Sequence, residues 1–199
     1  MRVLIACEFS GIVRDAFLAR GHDAWSCDLL PTEVPGPHIQ EDVLNHLEDG
    51  WNLMIAHPPC TYLCNSGVCH LHKRESRWYE MQNGASFFRK LLHAPIPRIA
   101  VENPIMHKYA KQIIGSRQTQ LIQPWMFGHG EKKATCLWLR GLPLLVPSHL
   151  KFDMFAEPEP VGREQRLHRL PPSQDRWKNR SRTYQGIADA MAEQWGRKT

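Results

Sequence analysis

Apolar positions along the chain fall into short continuous runs separated by stretches of helical spacing, and this alternation predicts the order of elements. Arg2 to Cys7 reads as a buried strand. Gly11 to Arg20 then reads as a helix, with Ile12, Ala16 and Ala19 on one face, Val13 and Phe17 beside them, and Gly21 as its stop. Ala24 to Cys27 forms a second apolar run, and positions 32 to 37, in a stretch with three prolines from Pro31 onward, read as loop. Leu53 to Ala56 is a third strand. Arg77 to His93 carries the clearest helical stripe, with Trp78, Met81, Ala85, Phe88 and Leu92 three or four apart, which is core spacing. Ile99 to Val101 is the next strand, Ile105 to Ile114 a helix, Gln118 to Gln123 and Ala134 to Arg140 two late strands, and Ala188 to Trp195 a terminal helix. Strands that alternate with helices predict an α/β fold with a mainly parallel sheet.

Bulk composition fits this pattern. A chain of 199 residues with 42% apolar content suits a single domain, residues 1–199, with a sizeable core. No apolar run is long enough to span a bilayer, and Met1-Arg2 followed by a short apolar run and Glu8 lacks the features of a secretory signal. The expectation is a cytoplasmic protein with no membrane partner, whose six cysteines are reduced.

Candidate chemistry gathers where strands end. Leu53-Met54-Ile55-Ala56 runs straight into His57-Pro58-Pro59-Cys60, and two prolines fix the backbone there and remove two donors, so Cys60 is presented on a rigid loop. Ile99-Ala100-Val101 likewise ends in Glu102-Asn103-Pro104. In an open α/β sheet ligands bind beyond the carboxyl ends of strands, so a thiol nucleophile and a carboxyl proton donor there can share one pocket.

Charge adds a possible partner. Between Arg163 and Arg182 stand seven basic residues, Arg163, Arg166, Arg169, Arg176, Lys178, Arg180 and Arg182, against Glu164 and Asp175, a surplus of five that equals the net charge of +5 for the whole chain. Such a cluster is the footprint expected of phosphate contacts, and His168 and Trp177 within it can stack on bases. A solvated charged surface is the plainer reading.

Pro58-Pro59-Cys60 followed some forty residues later by Glu102-Asn103 resembles the fourth and sixth motifs of the DNA cytosine-5 methyltransferases. Val3-Leu4-Ile5-Ala6-Cys7-Glu8-Phe9-Ser10-Gly11 resembles the family's first motif, although Ile12 and Val13 stand where the family continues with glycine. The resemblance implies a Rossmann-like S-adenosylmethionine-dependent methyltransferase fold with a late antiparallel hairpin and helices on both faces. It further implies Cys60 as nucleophile and Glu102 as the group at cytosine N3, with Phe9, Ser10, Gly11, Asp28, Asp42, Pro58 and Gly186 around S-adenosylmethionine. Double-stranded DNA, with the cytosine flipped out, is the implied substrate.

The chain also departs from the family. Where the eighth motif supplies an arginine to cytosine O2, this chain has Lys132-Lys133 before Cys136 to Arg140, so Lys133, Arg140 or one of the arginines between 163 and 182 takes that role. Residues 144–183 form a basic loop segment in place of a recognition domain, and Ile187 replaces an expected asparagine. A compact enzyme of a bacterial or phage-infected cell is implied, with a free nucleotide as alternative substrate. A second alternative is a catalytically altered DNA-binding or zinc-binding protein, because Cys60, Cys64, Cys69, His70 and His72 fall within thirteen residues and zinc at Cys60 would block nucleophilic chemistry.

Overall fold

The structure, a computed structural model, describes residues 1–148 and 176–197. Seven strands form one sheet in the order β3-β2-β1-β4-β5-β7-β6. β1 (Arg2–Ala6), β2 (Asp23–Cys27), β3 (His38–Ile39), β4 (Leu53–Ala56) and β5 (Arg98–Pro104) run parallel, whereas β7 (Thr135–Arg140) lies antiparallel between β5 and β6 (Gln120–Ile122). The late hairpin is therefore present, and with helices on both faces the architecture is the expected Rossmann-like α/β fold.

The period-2 geometry of the strands divides the core into two layers. Leu4, Ala6, Met54, Ala56, Ile99, Val101 and Trp138 face α3 (Ser76–Leu92) and α4 (Lys108–Ile114), where Met81, Ala85, Phe88 and Ala110 complete the packing. Val3, Ile5, Leu53, Ile55, Ala100 and Leu137 face the other way, toward Val13 and Phe17 of α1 (Ile12–Leu18) and Ile187, Met191 and Trp195 of α6 (Gln185–Trp195). Central strands buried on both faces explain why their sequences read as unbroken apolar runs.

Some boundaries differ from the sequence reading. The helix expected from Ile105 begins only at Lys108, because Met106 pairs in a β-bridge with Cys64 and the His107 ring accepts from the Ala110 amide at 3.1 Å as an N-cap. The two residues of β3 are too short to show periodicity. Most of the segment 144–183 lies outside the described residues, but its end is helical rather than loop, as α5 (Arg176–Ser181). Among the described residues no helix is long and apolar enough to cross a membrane.

Connections decide where a site can form. The chain leaves β1 for α1 and β2 on one side and leaves neighbouring β4 for α3 and β5 on the other. Between β1 and β4 the topology switches, and the crevice above such a switch point is where open α/β sheets bind ligands.

Candidate active site at the switch point

Both loops leaving the switch point are fixed by specific bonds. The His57 amide donates to the Ala6 carbonyl at 2.9 Å, so the end of β4 stays against β1. Past the two prolines, the Leu63 and Cys64 amides both donate to the Cys60 carbonyl, each at 3.0 Å, and the chain turns back under Cys60. Buried Asn103 donates from Nδ2 to the Pro58 carbonyl at 3.0 Å, tying the exit of β5 to that of β4. Cys60 and Glu102 are thus brought into one neighbourhood, and the charges of Glu102 and Lys133 both act on the Cys60 thiol.

Cys60 is paired with a second thiol. It donates to Cys64, which raises its own pKa, and burial and the charges of Cys64 and Glu102 add to the rise against an opposing Lys133. Cys64 is lowered to about 5, first by that donated hydrogen bond and then, against burial, by Ser66, whose hydroxyl lies 3.0 Å from its sulfur. The two thiols therefore titrate as a coupled pair, with Cys64 the one driven toward ionisation.

Glu102 is held ionised. Burial disfavours its carboxylate, but the His57 hydrogen bond and then the charge of Lys133 outweigh burial, and the net shift is downward. A raised pKa, which proton donation to a base would need, is not met in this state. The partner, His57, has a side chain only 8% exposed. Its Nδ1 lies 3.1 Å from Glu102 Oε2, while Nε2 is buried with no hydrogen-bond partner among the described residues.

The loop after β1 is built around a buried carboxylate. Cys7 turns the chain through the left-handed region at φ 58°, an uncommon conformation for a residue with a side chain. Burial, then Asp28, Cys27 and Asp42, pushes its thiol pKa upward. Glu8 Oε1 accepts from the Val13 amide at 2.8 Å and from Ser10 Oγ at 3.1 Å, and Oε2 accepts from the Arg14 amide at 3.2 Å. Ser10 Oγ in turn accepts from the Ile12 amide at 3.4 Å, so the first amides of α1 are all engaged. Gly11 adopts φ 76°, and a Cβ there would meet both Arg14 and Val34.

Two small cavities open above the switch point. Cys7, Glu8, Phe9, Ser10, His57 and the stretch Ser181 to Thr183 line the first. His57, Glu102, Lys133, Thr135, Tyr184 and Met191 are among the residues lining the second. His57 and Thr183 border both.

Other residues singled out in the sequence are placed as follows. Asp28 is half-buried at the end of β2, accepts from the Leu30 amide at 2.9 Å, and has its pKa raised by burial. Exposed Asp42 caps the 3₁₀ turn Val43–His46 by accepting from Leu44. Gly186 donates from its amide to His129 Nε2 at 2.9 Å and packs so closely on the Phe127 carbonyl that a Cβ would collide with it. Pro58, Gly186 and the two aspartates line neither cavity. Lys133 Nζ reaches the second cavity while donating to the Arg180 and Arg182 carbonyls at 2.8 and 3.4 Å. Arg140, the alternative to Lys133, is excluded by position. It pairs with Ile99 near the start of β5, at the opposite end of the sheet, and its Nη2 donates to the Ala94 and Ile96 carbonyls.

Within the basic cluster, Arg163, Arg166 and Arg169 lie outside the described residues, and Arg176 opens α5. Lys178 sits over the Trp177 ring, which itself lies 5.9 Å from that of Phe9. Exposed Arg182 borders the first cavity and pairs with Glu33 at 2.7 Å. Among the described residues no three His, Cys, Asp or Glu side chains converge to hold a metal ion, and Cys69, His70 and His72 are exposed.

His57 is the residue that sequence reasoning passes over as a site member, whereas Cys64 enters there only as a possible zinc ligand and Glu8 only as part of the first motif. A titratable side chain between an apolar run and Pro-Pro marks His57 in the sequence. Nothing local marks its bond to Glu102, forty-five positions away.

No family model matches the chain, and no curated protein matches it. Among solved structures it is similar to a candidate DNA modification methyltransferase encoded within a prophage, from E. coli, at 17% identity and a TM-score of 0.45, covering 77% of this chain and 48% of that one. It is also similar to the Entamoeba histolytica methyltransferase EhMeth, at 15% identity and a TM-score of 0.44, covering 72% of this chain and 53% of the other. The chain spans about half the length of each of these structures.

Proposed function

We propose that the protein is an S-adenosylmethionine-dependent DNA methyltransferase acting at cytosine C5 through a covalent adduct with Cys60. The observation that carries this reading is that Asn103 staples the loop of Cys60 to that of Glu102, while Glu102 and Lys133 line one cavity above the switch point and their charges act on the Cys60 thiol. Cytosine C5 is a weak nucleophile, and addition of a thiolate at C6 pushes electron density onto it. Cys60 supplies the sulfur after passing its proton to Cys64. Lys133 stabilises the negative charge that develops on the ring. Glu102, ionised at rest, accepts from the cytosine amino group or takes up a proton as the base enters.

The choice of cofactor rests on α1. A dinucleotide in a Rossmann-like fold sets its pyrophosphate on the amides at the start of the first helix, but here Glu8 and Ser10 occupy them. A second anion at those amides would have to displace this pairing and would meet a buried carboxylate. S-adenosylmethionine carries no phosphate and supplies an electrophilic methyl group when bound. Phe9, Ser10 and Gly11, with Asp28 and Asp42 at the neighbouring strand end, are the residues proposed to hold it, and Pro58 and Gly186 shape the loops around it. DNA is the proposed polymer partner, gripped by Arg163, Arg166, Arg169, Arg176, Lys178, Arg180 and Arg182.

The test is to incubate purified protein with S-adenosylmethionine and duplex DNA and to digest the product for mass spectrometry. 5-Methylcytosine is expected from the native protein and none from Cys60→Ser. N4-methylcytosine or N6-methyladenine, or equal activity of the variant, would refute the assignment.

A further inference from the structure

We propose that His57 is a catalytic base of this site, positioned by Glu102 so that Nε2 removes the proton from C5 of the methylated adduct. The inference rests on the reading that Cys60 adds to C6. The His57 side chain is more than nine-tenths buried, and its Nδ1 is committed to the Glu102 carboxylate at 3.1 Å. In the tautomer that donates from Nδ1 the lone pair lies at Nε2, and that atom is buried without a partner among the described residues. A buried polar atom left unpaired costs stability, so an arrangement that preserves one calls for an explanation.

Place supplies the explanation. His57 borders both the cavity under Cys7 to Ser10 and the cavity beside Glu102 and Lys133. It is the one ring common to the proposed cofactor and base compartments, and C5 must sit between those compartments to receive a methyl group. After that transfer C5 carries both the methyl group and its original hydrogen, while C6 carries the Cys60 sulfur. His57 Nε2 takes the proton. The C5–H electron pair forms the C5=C6 double bond, the C6–S bond breaks, and its electrons return to Cys60 as thiolate. The resulting imidazolium faces the Glu102 carboxylate, which stabilises it until the proton passes to solvent.

His57→Asn isolates this step, because the asparagine amide can keep the bond to Glu102 while leaving nothing at the Nε2 position. Native protein and variant are each mixed with S-adenosylmethionine and DNA containing either cytosine or 5-fluorocytosine, and covalent complexes are counted on denaturing gels. The variant is expected to trap 5-fluorocytosine DNA as the native protein does, since fluorine leaves no proton to remove. On ordinary cytosine it should accumulate an adduct that decays about 10²- to 10⁴-fold more slowly than the native one. His57→Ala, whose deletion leaves a ring-sized space, should behave likewise and regain adduct release when imidazole is added. Clearance of the ordinary adduct at the native rate would overturn the proposal, as would failure of both variants to trap the fluorinated base. If the native protein itself does not trap 5-fluorocytosine DNA, the Cys60 adduct falls and the role of His57 falls with it.

Discussion

Two sulfurs four residues apart titrate as a coupled pair, and which of them ionises sets how the site responds to pH. Cys64, lowered to about 5 by the Cys60 hydrogen bond and Ser66, keeps the pair anionic across the neutral range. A thiol of depressed pKa stays ionised as pH falls until that pKa is reached, so the rate of 5-fluorocytosine trapping should be flat between pH 8 and 6 in the native protein. In Cys64→Ala the acceptor of the Cys60 proton is gone, and burial and Glu102 still push Cys60 up from the ordinary value of 9.0. Trapping by that variant should therefore drop about tenfold for each pH unit below neutrality. Superimposable profiles would remove Cys64 from the mechanism. Cys60 itself is legible in the sequence, because Pro-Pro at a strand end has a local meaning. Cys64 and His57 are not, since their roles depend on a turn and on a partner strand that only the folded chain brings near.

Among the elements, α1 and the loop facing it depend on a buried arginine. Arg14 is fully buried, and its guanidinium donates to Asp15, Ser26, Thr32 and the Val34 and Pro35 carbonyls. It thereby fixes the proline-containing loop that the sequence marks only as irregular. Arg14→Leu fills similar space but leaves those acceptors without a donor. A loss of about 3 kcal/mol in unfolding free energy is expected by urea titration, and a loss under about 1 kcal/mol would mean that the loop is held by something else. The elements themselves are largely legible, because central strands are apolar throughout and α3 has a long periodic stripe. Misplaced boundaries fall where a long-range contact overrides local pattern, as Met106 pairing with Cys64 delays the start of α4.

At the scale of the whole molecule, charge separates two roles for the basic segment. If it grips a polyanion, log K for duplex DNA should fall with log salt by about 0.9 for each phosphate neutralised. Replacing Arg176, Lys178 and Arg180 together by alanine should flatten that slope, as measured by fluorescence anisotropy over a salt series, and an unchanged slope would place the DNA surface elsewhere. Arg182 is left out of the set because the structure turns it toward Glu33 and the first cavity, where its loss would mix cofactor effects with DNA effects. The sequence shows how many charges the segment has, but charge counts carry no direction, and only the fold shows that Arg182 pairs with Glu33 at the edge of the first cavity.

The packing of α6 on α1 has a consequence for the order in which the chain acquires its structure. Val13 and Phe17, near the beginning, are covered by Ile187, Met191 and Trp195, near the end, and Arg98 ties the two regions further by donating to the Trp195 carbonyl. While the chain is being synthesised, this face of the sheet therefore has only α1 of its two covering helices until α6 has left the ribosome. The face beneath α3 and α4 can close earlier from contiguous segments. A product stopped short of Gln185 leaves exposed the apolar surface that Ile187, Met191 and Trp195 would bury, which invites aggregation.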